Sequence, residues 1–191
     1  MPDPLHQPFY CEENIWHLAQ DPRCGPGRRL VLVLGGTSGR FAMWRQRAAP
    51  APGEPVTWDY HVVLLVYDGG WQAWDLDSDL GTPLALKSWL SASFPHQDRV
   101  RPGFHPRFRM LPAEEYVATL RTDRSHMRDD DGGWLHPPPS WPPPGSGGSN
   151  VLALADIRQS TPGTVRDRAG LVAYLDGDAA GTATGAVELT A

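Results

Sequence analysis

Cysteine is scarce in this chain: Cys11 and Cys24 are the only two in 191 residues, and they form no CxxC pair. The seven histidines are scattered rather than set at ligand spacing, so neither a structural zinc site nor a metal cofactor is expected. Long apolar runs are missing too. The longest aliphatic stretch, Leu30 to Leu34, is far too short to cross a bilayer, and no membrane partner is expected. The opening residues, Met1-Pro2-Asp3-Pro4-Leu5-His6, have neither the cationic nor the apolar region of a signal peptide. A cytoplasmic location with both thiols reduced is therefore expected; a Cys11–Cys24 disulfide is the alternative that such a setting disfavours. Surplus positive charge is also absent. With 17 basic and 22 acidic residues the net charge is -5, so no nucleic-acid partner is expected.

What is present suits one globular domain. Hydrophobic residues make up 40% of the chain and include eight Trp, enough for a sizeable core. Gly and Pro, 20 each, make the chain loop-rich without reaching a low-complexity composition. A single catalytic domain is expected over residues 1–175. Within it the stretch HPPPSWPPPGSGGSN, at 136–150, reads as a Pro/Gly-rich surface loop, with a PxxP-type partner site as the alternative. Residues 176–191 are small and polar, and are expected to form a flexible tail.

Periodicity and breakers give the elements. A helix is predicted from Glu12 to about Gln20, with Ile15, Trp16 and Ala19 on its apolar face and Asp21-Pro22 ending it. Arg29 to Leu34 reads as a strand stopped by Gly35-Gly36. The Gly-Gly-Thr-Ser-Gly stretch at 35–39 lacks the spacing of a phosphate loop and is expected to be a plain turn. Thr57 to Tyr67 reads as a central strand covered on both faces, and Trp71 to Leu76 returns beside it after Asp68-Gly69-Gly70. Thr82-Pro83 reads as a helix start, Arg107 to Leu111 as a strand, Pro112 to Leu120 as a helix, and Asn150 as the cap of a short helix to Ile157. Strands interleaved with helices indicate a mixed α/β or α+β domain.

Three residue types along this framework carry chemistry. Cys11 opens the first helix, where unpaired N–H groups favour a thiolate; a small buried residue at a helix start is the plain alternative. His61 lies in an apolar strand, where an unpaired ring is costly to bury. If Asp68–Gly70 closes the hairpin with Tyr67 facing Trp71, Asp75 lies diagonally from His61 on the same face, roughly 7–8 Å away at the backbone. A two- or four-residue loop would put Asp75 on the other face. Asp59 competes for the same role, while Asp77 and Asp79 read as solvated or turn-forming, and Cys24 as a bystander.

The stretches YCEENIW at 10–16, WDYHVVLL at 58–65, DLD at 75–77 and DRSHM at 123–127 resemble the protein N-terminal glutamine amidohydrolases. The resemblance runs from about residue 8 to Asp156; the Gly/Ala-rich C-terminus departs from the family's usual ending. It implies a papain- or transglutaminase-like fold, a central, largely antiparallel sheet flanked by helices, and a Cys-His-Asp triad. By motif these are Cys11, His61 and Asp75. The implied reaction deamidates an N-terminal glutamine to glutamate with release of ammonia, through a γ-glutamyl thioester and without a cofactor. In eukaryotes that step feeds a degradation pathway that reads N-terminal residues.

The implied partners are proteins or peptides with a free N-terminal glutamine, and a monomer suffices for them. A free α-ammonium needs an acidic receptor. Glu13 and Asp59 are candidates, with Glu12 and Asp123 also considered, and Ser125 and His126 are candidates to line the pocket. Alternatives are a transglutaminase-like acyltransferase, a cysteine peptidase, or a non-enzymatic Trp/Pro-rich interaction module.

Overall fold

The computed structural model describes residues 5–160 and 162–185, with side chains described as far as Asp178. Its centre is a six-stranded sheet in the order β6-β5-β4-β1-β7-β8, every neighbouring pair antiparallel. After helix α1 (Cys11–Ala19) come β1 (Arg29–Gly36), β2 (Phe41–Met43), β3 (Val56–Trp58), β4 (His61–Tyr67), β5 (Trp71–Trp74) and β6 (Leu84–Ala85). Next along the chain are α2 (Leu86–Ser93), β7 (Pro106–Pro112), α3 (Ala113–Thr119), α4 (Val151–Ala155), β8 (Thr164–Arg166) and α5 (Arg168–Gly185). This is the expected mixed α/β fold with a largely antiparallel sheet flanked by helices, consistent with a transglutaminase-like fold.

The alternation of β4 explains its burial. Val62 and Leu64 join Ile15, Leu18, Tyr116 and Leu154 from α1, α3 and α4 in one core. Val63 and Leu65 join Trp89, Phe94, Leu171 and Leu175 from α2 and α5, or just beyond α2, in the other. Both faces are dry, so the strand reads as an unbroken apolar run.

The hairpin register is the predicted one: Tyr67 faces Trp71 and Leu64 faces Trp74. Elsewhere long-range pairing overrides the sequence pattern. Gly35 and Gly36 continue β1 opposite Arg107 and Pro106 instead of stopping it. They are glycines because a Cβ on Gly35 would lie 2.5 Å from the Ala155 carbonyl oxygen, and one on Gly36 2.0 Å from that of Arg40. The strand predicted from Thr57 is broken at Asp59–Tyr60, because Val56–Trp58 pairs with β2 in a separate two-stranded sheet. Helix α2 starts at Leu86, not at Pro83, since Leu84–Ala85 first pairs with β5. Asn150 precedes α4 but spends its amide on Thr119 O and Arg121 N–H rather than on a cap.

The proline stretch is irregular backbone fastened to α1. Trp141 Nε1 donates to Glu13 Oε2 at 2.8 Å, and Tyr10 Oη donates to the His136 carbonyl at 3.1 Å. Past Leu175, α5 continues to Gly185; of the tail expected to be flexible, residues 186–191 lie outside the described residues.

Leu64 is fully buried at the centre of the sheet. Leu64→Ala is expected to lower unfolding stability by about 2–5 kcal/mol, read from the midpoint of a urea titration at unchanged slope.

Candidate active site

The first residue of α1 and the first residue of β4 open on the same small cavity. It holds about 190 Å³ and is lined by Cys11 and His61 together with Phe9, Trp58, Asp59, Tyr60, Asp77, His126, Met127, Leu135 and His136. The two positions share the cavity because both elements begin there: α1 packs along β4, and the backbone N–H of Val62 hydrogen-bonds the Cys11 sulfur.

His61 is held on both of its surfaces. Its Nε2 donates to Asp75 Oδ1 at 2.9 Å, and its ring stacks on Trp58 with centroids 5.6 Å apart. Asp75 is itself saturated. Oδ1 also accepts the Asp77 N–H at 3.2 Å, while Oδ2 accepts Gln46 Nε2 and Trp89 Nε1, each at 3.0 Å. Those donors, and above all His61, keep the carboxyl below the ordinary Asp range although burial pushes it up. Burial alone would depress the imidazolium of His61; Asp75 in contact, then Asp77 and Glu12, raise it instead. With Nε2 committed, Nδ1 is the nitrogen left for proton transfer.

Cys11 is not the thiolate that a bare helix N-terminus would favour. Its burial, then the neighbouring Glu12 and Asp77 carboxylates, push the thiol well above its ordinary pKa, with the Val62 N–H opposing. Cys24, buried beneath α1, is pushed up to about 11 and donates to the Leu18 carbonyl oxygen. Both cysteines are free.

A second group of buried polar side chains lies on the other flank of the sulfur. Glu12 Oε2 is 3.8 Å from Cys11 Sγ and accepts the Tyr60 hydroxyl at 2.9 Å. Tyr60 Oη is 3.0 Å from His126 Nε2, which lies 3.4 Å from Glu12 Oε1. With Tyr60 donating to Glu12, His126 Nε2 serves as donor to Tyr60.

The family model for N-terminal glutamine amidase matches residues 6–175 of this chain. The chain belongs to the N-terminal glutamine amidase family. It is thereby an amidohydrolase. It is 36% identical to the protein N-terminal glutamine amidohydrolase of Homo sapiens over 144 residues, 72% of this chain and 70% of that one. The corresponding protein of Bos taurus is 36% identical over 144 residues, 72% of this chain and 69% of the relative. That of Drosophila erecta is 36% identical over 154 residues, covering 78% and 75% respectively.

In this family member Cys11, His61, Asp59 and His126 all line the cavity, and Asp75 supports the ring from behind. Asp59 does not compete for His61; its Oδ1 accepts the N–H of Tyr60. Two predicted residues face elsewhere. Glu13 is fully buried in a two-point pair with Arg124, at 2.7 Å to each oxygen, and holds the proline stretch through Trp141. Ser125 donates its N–H to Asp123 Oδ1 at the start of a short 3₁₀ turn and does not line the cavity.

Asp77, expected to be solvated or turn-forming, does lie in a turn after β5 but is not solvated. It is only 8% exposed, faces the cavity and pairs with His6 Nε2 at 2.8 Å. Sequence reasoning passed over Trp58 and Tyr60, although they flank His61 in the same conspicuous stretch. Ligand atoms of His61, Asp75 and Asp77 lie within 4.8 Å of one another, the one grouping among the described residues close enough to share a metal ion. Because Asp75 already accepts four donors, an ion there would have to displace them.

Asp75→Asn removes the charge that lifts the His61 pKa and leaves the burial that lowers it. The ring is expected to titrate below the ordinary histidine value of about 6.5, followed through its Cε1–H resonance.

Proposed function

We propose that this amidohydrolase deamidates the side chain of an N-terminal glutamine in proteins or peptides, using Cys11, His61 and Asp75. The observation that carries the proposal is the His61–Asp75 pair, buried and oriented, opening on the same one-residue cavity as the Cys11 thiol. The names of the relatives support the substrate.

Cys11 enters as a neutral thiol. Its sulfur attacks Cδ of the glutamine while His61 Nδ1 takes the proton, with Asp75 stabilising the imidazolium that forms. The tetrahedral intermediate collapses, C–N breaks, and His61 returns the proton to departing ammonia. Water, deprotonated by the same ring, then hydrolyses the γ-glutamyl thioester. The balance is amide plus water giving acid plus ammonia, and no metal or organic cofactor takes part. Backbone N–H groups at the start of α1, where no described side chain caps the helix, serve the oxyanion.

Charge sets the specificity. Asp59 and Asp77 line the cavity and Glu12 lies just behind it, an acidic surround that suits an α-ammonium. The same surround repels the carboxylate of glutamate, favouring amide over acid on entry and expelling the product. A small cavity fits the first residue of a chain better than a backbone peptide bond or an internal glutamine, which separates this reading from a peptidase or a crosslinker. The protein is taken to act as a cytoplasmic monomer, with its thiols reduced.

Ammonia release from peptides beginning with Gln, acetyl-Gln and Asn tests the proposal. Only the first is expected to turn over well, and equal rates on the acetylated peptide would remove the α-ammonium from the account. Cys11→Ala and His61→Ala are each expected to lower kcat on the order of 10³-fold or more. His61 accepts a proton only when neutral and its pKa is raised, so kcat/KM is expected to climb with pH through a midpoint above the ordinary histidine value. A midpoint at or below that value would contradict the His61 assignment.

A further inference from the structure

Three buried polar side chains beside Cys11 take no part in the reaction above. Glu12 is 1% exposed, Tyr60 6%, and the His126 side chain 9%. An acid in the first turn of a helix ordinarily stands in water and complements the dipole. Glu12 is buried instead, and Tyr116 Oη from α3 donates to its backbone carbonyl at 3.0 Å.

The hydrogen bonds around Glu12 run one way. A carboxylate has no proton to give, so the Tyr60 hydroxyl donates to Oε2 at 2.9 Å. The Tyr60 oxygen is left as acceptor, 3.0 Å from His126 Nε2, which then carries its proton. The Cys11 S–H is the other donor to Oε2, at 3.8 Å. Oε1 has no hydrogen-bond partner among the described residues, with His126 Nε2 at 3.4 Å. A buried carboxylate with one oxygen unfilled costs stability, which points to a use for the charge in the site itself.

Two other acids act on the sulfur, and both are engaged elsewhere. Asp77, in the turn after β5, pairs with His6 Nε2 at 2.8 Å, and Asp59, just before β4, accepts the Tyr60 N–H at 2.9 Å. The other titratable groups that line the cavity with Cys11 are Tyr60, His61, His126 and His136. Glu12 is the one acid among the described residues within hydrogen-bonding reach of Cys11 Sγ. After burial it is also the largest cause of the raised thiol pKa.

Resting on the assignment of Cys11 as the reacting thiol, we propose that Glu12 is a positioning residue that latches it. Oε2 takes the S–H bond, keeps the proton on sulfur and directs it away from His61 until a cation in the cavity draws on the same carboxylate. Tyr60 and His126 hold that carboxylate in place. An uncharged electrophile then meets a protonated thiol, whereas a cationic one loosens the latch as it enters. The selection acts on the reactivity of the sulfur and not on affinity alone.

The test is alkylation of Cys11 by iodoacetamide as pH is raised, read by mass spectrometry with Cys24 as internal reference. Glu12→Gln keeps an acceptor for Tyr60 and removes the charge. It is expected to raise the rate at neutral pH about tenfold and to move the levelling-off of the rate to lower pH, because the gain in thiolate exceeds the accompanying loss of nucleophilicity. The rate with the cationic bromoethylammonium, relative to iodoacetamide, is expected to fall in the same variant. Faster alkylation with the levelling-off unmoved means only a loosened site and overturns the latch, as does an unchanged rate. Glu12→Met repeats the measurement if the amide variant does not fold; if neither folds, Glu12 is a structural anchor and the latch falls. Ammonia release from a Gln-initiated peptide by the wild type, run in parallel, decides the deamidation reading separately.

Discussion

The Asp75 carboxylate, stripped of water and accepting four donors, is the fixed point of the molecule's chemistry. An isolated carboxylate at that depth would be expensive to keep charged. Trp89 from α2, Gln46 from the chain after β2, the Asp77 N–H and His61 together replace the water it has lost. In doing so they tie three other stretches of chain to one atom pair. The imidazole is consequently placed by the core of the protein rather than by a loop, and Nδ1 is the ring nitrogen that the pair with Asp75 leaves over.

The electrostatics of the cavity run against the thiol and in favour of the substrate. Helix α1 directs its N-terminal N–H groups toward Cys11, an effect of about 0.3–1 kcal/mol at exposed sites and up to about 2 when partly buried. Burial and two carboxylates outweigh it and hold the thiol pKa well above its ordinary value. A protected thiol is less open to oxidation than a standing thiolate. In the reaction proposed above, the acids that suppress ionisation form the receptor for a cationic chain terminus, and the arrival of that cation would offset the repulsion that the thiolate would feel. On that proposal binding and activation are coupled through charge.

Beyond the reacting groups, buried arginines set the frame. Arg124 locks Glu13 on α1 and reaches the Trp141 carbonyl, drawing the proline stretch over the helix so that Leu135 and His136 close one side of the cavity. Arg109 fixes the segment 154–162 in the same way, through four backbone carbonyls. Each guanidinium fills carbonyl or carboxylate acceptors that loops leave over, which lets irregular backbone be packed as firmly as a strand.

Much of this was legible in the residues. The thiol, ring and carboxylate stand in conspicuous local stretches. The turn at Asp68–Gly70 sets the parity of the hairpin, and parity puts Asp75 on the face of His61, because side chains alternate at every residue of a strand. The sequence could not say which of its many acids would turn inward. Glu13 was spent on Arg124, 111 positions away, while Glu12 and Asp77 were drawn to the sulfur. Nor could it show that Thr57–Tyr67 would break, or that Arg109 would be spent on four carbonyls of the segment 154–162. Alternation and turn chemistry act between near neighbours and are written in order along the chain. The fate of a charge depends on which distant groups share its burial, and only the folded chain decides that.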